Sequence, residues 1–250
     1  MSGHSKWAQI KRQKGANDAK RGQMFTKVTR EIMVAAREGG GDPDANFRLR
    51  LVIQRARQIN MPQENIQRAI QRATGSGDDQ QQLEEITYEG YGPGGVAIFV
   101  EALTDNRNRT VAEVRNVFTR NGGNLGESGS VAWLFEPRGY IGITIDGRDA
   151  DEATLAAIDA GAVEVMLEDK TLAVYTDLQD MERVQGQLEG LGLTVETAER
   201  AMIPKTSVTL DEQKATQVLR LIERLEDLDD VQNVSTNLEL SEELVASLAS

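Results

Sequence analysis

The chain of 250 residues has no cysteine and a single histidine, His4. The missing cysteine excludes disulfides, thiolate metal sites, iron–sulfur clusters and a Cys nucleophile. One histidine cannot form a His-cluster metal centre. Four residues from the terminus, it also lacks the setting of a general base in a Ser-His-Asp site. Aromatic residues are 4% of the chain, so its cores must be mainly aliphatic. No apolar run approaches the ~18 residues of a transmembrane helix. The polar, basic N-terminus has no apolar signal-peptide region, so cytoplasm is the expected compartment, with no membrane partner. Against these absences stand 39% hydrophobic and 27% charged residues, a globular composition. At about 150 residues per domain, one to three domains fit the length.

Charge is unevenly spread. The net charge is −12. Residues 1–75 carry 15 basic and 6 acidic side chains, a net +9; residues 76–250 carry 13 basic and 34 acidic, a net −21. Within the first 30 residues, Lys6, Lys11, Arg12, Lys14, Lys20, Arg21, Lys27 and Arg30 face one acid, Asp18. A basic head on an acidic body suggests a module that faces nucleic acid. A head that merely pairs with the body is the plainer alternative.

Periodicity divides the chain further. Phe25, Val28, Ile32 and Ala35 share one helical face, and Gly39-Gly40-Gly41 ends it. Asp42-Pro43 reads as the start of a second helix, with Asp as the cap and Pro in the first turn, and Leu49, Val52, Ala56 and Ile59 continue the pattern. A third carries Ile66, Ala69, Ile70 and Ala73. Residues 76–85 are a polar linker. Strands follow at 86–91 and 96–103 around Gly92-Pro93-Gly94-Gly95, then a helix with Thr110 and Glu113 as a capping box, then a strand at 130–135. Residues 138–203 read β-α-β-β-α-β, the split-βαβ or ferredoxin-like order. That unit is closed, so the helix at 211–227 (capping box Thr209 and Glu212) and the strand at 231–238 must complete the 86–135 unit. The expected fold class is α+β: a helical bundle, then two α/β-sandwich domains of ferredoxin-like type, the last inserted into the middle one. The expected boundaries are 1–78, then 79–136 with 204–250, and 137–203 inserted.

No enzyme constellation survives inspection. Gly90–Gly95 lacks the G-K-[ST] ending of a P-loop and precedes a strand, so it reads as a turn. Glu226, Asp227, Asp229 and Asp230 read as a solvated helix end or a weak hard-cation site. No cofactor or metal is expected. The basic residues are the chemical signal: Lys6, Lys11, Arg12, Lys14, Lys20, Arg21, Lys27 and Arg30 would neutralise phosphates, with Trp7 either stacking on a base or anchoring the arm. About five phosphate contacts would give log K a slope of about −4.5 against log salt. Arg107 and Arg109, at a strand-to-helix junction, fit a second phosphate contact, an interdomain hinge, or capping with surface charge. No base-reading motif is present, which favours recognition of backbone and shape.

Five segments in order resemble the YebC/PmpR family: Gly3-His4-Ser5-Lys6-Trp7, 18–22 (Asp-Ala-Lys-Arg-Gly), 35–43 (Ala-Ala-Arg-Glu-Gly-Gly-Gly-Asp-Pro), 88–95 (Tyr-Glu-Gly-Tyr-Gly-Pro-Gly-Gly) and 104–110 (Thr-Asp-Asn-Arg-Asn-Arg-Thr). The family includes the mitochondrial translational activator of cytochrome oxidase subunit one. The resemblance implies three domains around a cleft and a DNA-binding transcriptional regulator in the cytoplasm. Other members imply a translation factor that binds ribosomal RNA and eases stalls at proline-rich stretches. The expected partners are therefore DNA or ribosomal RNA at the basic head, and a ribosomal or other protein at the acidic domains. Arg12 stands where many members have His, and Phe47 where many have Pro, which bears on where the second bundle helix starts.

Overall fold

The computed structural model describes residues 18–75, 83–145, 147–168 and 170–240. Lys6, Trp7, Lys11, Arg12 and Lys14 lie outside the described residues, as does most of the expected linker.

Among the described residues three helices come first: α1 (Asp18–Gly39), α2 (Phe47–Gln58) and α3 (Gln63–Thr74). Their inward faces carry Val28, Ile32, Leu49, Ile53, Ile66 and Ala69, which form one buried cluster. The α1–α2 joint depends on Asn46. Its Oδ1 accepts from Leu49 N at 3.0 Å, capping α2. Its Nδ2 donates to the carbonyls of Ala35 and Gly40, both at 2.8 Å, closing the end of α1. A side chain on Gly39 would meet Asn46 Nδ2 at 2.6 Å, and Gly40 has φ +87°, so two glycines are required here. The expected cap at Asp42 is thus corrected to Asn46, with residues 43–45 in a turn. Phe47 opens α2, and the Arg50 guanidinium lies 5.5 Å over its ring.

Next come β1 (Glu84–Tyr91), β2 (Ala97–Thr104), α4 (Arg107–Arg120) and β3 (Asn124–Leu125). β1 and β2 pair antiparallel, Tyr88 opposite Val100. The helix cap is Asn106, whose Oδ1 accepts from Arg109 N at 3.1 Å; Thr110 sits inside the first turn. The strand expected at 130–135 is also corrected. Residues Ala132–Leu134 form a single 3-10 turn, and the sheet takes β3 instead. The reason is Glu89: its buried carboxylate accepts from the backbone N–H groups of Gly129, Val131 and Ala132 at 2.6–2.7 Å. Those donors are then lost to any strand ladder.

The chain continues through β4 (Phe135–Thr144), α5 (Ala150–Asp159), β5 (Glu164–Glu168), β6 (Thr171–Thr176), α6 (Met181–Gly190) and β7 (Thr194–Pro204). Their sheet order is β5-β6-β4-β7, the order of a split-βαβ unit. Helix-facing Ile141, Ile143, Leu172 and Val174 alternate with Tyr140 and Tyr175, which face the other side. Last come β8 (Val208–Thr209), α7 (Glu212–Glu226), β9 (Val231–Thr236) and β10 (Leu238–Glu239). β9 pairs antiparallel with β2, giving the sheet order β3-β1-β2-β9. β8 and β10 pair in parallel. Asp211, rather than Thr209, caps α7 through Lys214 N at 2.9 Å. α4 and α7 cover this sheet around Val100, Phe118, Val218 and Ile222.

The chain forms two compact units, Phe135–Ile203 and the remainder on either side of it in sequence. The fold is α+β with the ferredoxin-like unit inserted. No helix among the described residues is long and apolar enough to cross a membrane.

Candidate nucleic-acid interface

The amphipathic helix α1 presents cations in two settings. Arg21 is exposed and pairs with no acid among the described residues. Lys20 lies in α1 as well. One turn further on, Gln23, Lys27 and Arg30 face the C-terminal end of α7. Gln23 Nε2 donates to Asp227 O and, at 3.2 Å, to Asp229 Oδ1. Lys27 Nζ donates to Glu226 O at 2.5 Å. Arg30 Nη1 donates to Asp229 O at 2.7 Å and to Asp230 Oδ1 at 2.6 Å. Carbonyls at a helix C-terminus carry the negative end of its dipole, which suits these cations.

Asp230 is the centre of this arrangement, with 2% of its surface exposed. Arg109 reaches both its oxygens, at 3.0 and 2.7 Å, and also Asp105 at 2.8 Å. The hydroxyls of Thr110 and Thr104 donate to Asp230 Oδ2 at 2.6 and 3.2 Å. Burial pushes the Asp230 carboxyl up. The Thr110 hydroxyl, Arg109 and Arg30 outweigh it and hold the group below the usual carboxylate range. The hydrogen bonds to Asp230 and Asp105 push the Arg109 guanidinium up in turn. Arg107 stays largely exposed and lies 3.8 Å from Glu84 Oε2. The residues read as a solvated helix end or a cation site therefore supply carbonyls and one buried carboxylate to the protein's own cations. A second link joins the bundle to the sheet: Arg48 of α2 pairs with Glu38 at 2.6 Å and with Glu85 of β1.

Further cations escaped the sequence reading. Arg57, Arg68 and Arg72 are exposed on α2 and α3 and pair with no acid among the described residues. Arg68 and Arg72 are four apart on the polar face of α3, beside Gln67 and Gln71. That i, i+4 spacing was the available signal.

Two family models match the chain: the TACO1/YebC protein N-terminal domain over residues 5–76, and the TACO1/YebC second and third domain over residues 83–238. Full-length relatives are similar throughout. A "probable transcriptional regulatory protein" of Chloroflexus aurantiacus is 57% identical over 249 residues, 98% of each chain. One of the same name from Herpetosiphon aurantiacus is 54% identical, covering 100% of this chain and 99% of its own. The crystal structure of a conserved hypothetical protein from Aquifex aeolicus superposes with TM-score 0.83 at 46% identity, covering 90% of this chain and 93% of that one.

Proposed function

The chain belongs to the TACO1/YebC family, and we propose that it is a non-enzymatic, nucleic-acid-binding regulator of gene expression that acts on DNA in transcription. One observation carries the reading: some basic residues of the head are spent on contacts within the protein, Arg48 and Arg55 among them, and others are not. Lys27 and Arg30, with Arg109 of α4, are neutralised by the α7 end and hold the bundle in place. Arg21, Arg57, Arg68 and Arg72 stay exposed with no acid partner among the described residues. Unpaired surface cations on a rigid helical bundle release counterions when they meet phosphates. The names of the full-length relatives support regulation as the role.

In this reading Lys6, Lys11, Arg12, Lys14, Lys20 and Arg21 are the principal phosphate contacts, and Trp7 stacks beside them. Arg68 and Arg72 extend the surface, and Arg107 adds a contact at the start of α4. The acidic remainder carries the net negative charge that limits indiscriminate phosphate binding, and it offers surface to a protein partner. The test is the triple variant Lys11→Glu, Lys14→Glu, Arg21→Glu against duplex DNA and ribosomal RNA at ~100 mM salt. Binding to both should be lost, with circular dichroism unchanged. Unaltered affinity would overturn the proposal. Crosslinking through Lys11 in cells then separates promoter DNA, scattered DNA and ribosomal RNA as targets.

A further inference from the structure

Residues 126–134 connect β3 to β4, and their order has a specific cause. Glu89 on β1, 4% exposed, turns its carboxylate into this loop and takes three of its backbone N–H groups. Burial pushes the Glu89 carboxyl up, but those three donors prevail and keep it below its ordinary value. Within this loop only Val131 is fully buried, so a buried charge spent on ordering it asks for an explanation beyond the core.

The loop displays an aromatic pair. Trp133 is 64% exposed and Tyr91 is 38% exposed. Trp133 Nε1 donates to Ser130 O at 3.1 Å, and Tyr91 Oη donates to the same oxygen at 2.9 Å. One carbonyl, with its two lone pairs, thus fixes both rings. Lys205 Nζ donates to the backbone carbonyl of Trp133 at 3.1 Å and has two further N–H donors. The other exposed residues of this loop are Glu127, Ser128 and Gly129; Val131 is buried, and Ala132 and Leu134 are half-buried. An aromatic anchor for a protein partner sits in an apolar, fully desolvated setting. Stacking of a base needs only a rigid π-face and a cation for the phosphate.

We propose that Trp133 and Tyr91 form a stacking platform for an unpaired nucleobase, with Lys205 on its phosphate. The inference rests on the nucleic-acid reading above and deepens it. It gives a protein without base-reading motifs a preference for strands with unpaired bases, whether RNA or melted DNA.

The test uses full-length protein carrying Trp7→Phe, which leaves Trp133 as the sole tryptophan. Labelled 20-nucleotide single-stranded RNA, single-stranded DNA and duplex DNA are titrated by anisotropy, and Trp133 fluorescence is followed at saturation. Trp133 emission should be quenched by the single strands and not by the duplex. In the parent chain, Trp133→Ala should weaken single-strand binding about 10- to 100-fold and leave duplex binding unchanged, and Trp133→Phe should restore most of the loss. If single strands bind while Trp133 emission and the Trp133→Ala affinity stay unchanged, the platform is overturned and the pair is left as a protein contact. If the parent chain binds none of the three probes, the functional reading itself fails.

Discussion

Asp230 accepts from side chains of three elements: Arg30 of α1, Thr104 of β2, and Arg109 with Thr110 of α4. Removing one buried partner of an ion pair leaves the others uncompensated, which costs more than the pair contributes. Asp230→Ala should therefore destabilise the chain by about 2–4 kcal/mol in urea unfolding. Asp230→Asn keeps an acceptor for Thr110 and should cost less. The two sets of head cations should separate under charge reversal. Arg30→Glu should lower the melting temperature, whereas Arg21→Glu should leave it in place and weaken nucleic-acid binding. Glu89 is the corresponding group beneath the Trp133 loop. Glu89→Gln replaces one acceptor oxygen by an N–H donor that opposes the loop's own N–H groups. Exchange of the Gly129, Val131 and Ala132 amides should accelerate, with about 1–3 kcal/mol lost locally.

Helix starts were the least legible elements. Asp42, Thr110 and Thr209 each stand at a plausible capping spacing, yet Asn46, Asn106 and Asp211 do the capping. Asn and Asp cap at least as well as Thr, and a short Asx side chain within a few residues takes the position. Thr110 is then free to turn its hydroxyl to Asp230, a contact 120 residues away. Asn46→Ala should cost about 2 kcal/mol, since it removes a cap and two bonds closing α1. Asn46→Asp should recover part of that, because it keeps the acceptor for Leu49 N. The strand expected at 130–135 failed for a related reason. Its apolar residues fit a strand, but a carboxylate from β1 competes for its backbone donors, and a single-sequence pattern does not contain that competition. The inserted unit was fully legible as β-α-β-β-α-β, since its strands alternate and its turns are short.

Stability should also follow pH through Asp230 and Glu89, both held below their ordinary pKa. Their contribution is fully present above the unfolded carboxylate value of ~4 and is lost as pH falls through the folded values. The slope of unfolding free energy against pH below ~4 should be steep in the parent chain and shallower in Asp230→Asn. The charge division between head and body was determined by sequence alone, because net charge needs no coordinates. So were the helical bundle, the inserted unit and the placement of the strand after 230, because hydrophobic period records which face each element buries. Which cations remain available was decided only by tertiary structure. Lys27, Arg30 and Arg109 look like Arg21 in sequence, and only packing α1 and α4 against the end of α7 brings them to Asp230 and its neighbouring carbonyls. Coulomb attraction weakens with distance and is screened beyond about 10 Å, and hydrogen bonds reach only about 3 Å, so their partners are set by folded distance rather than by position along the chain.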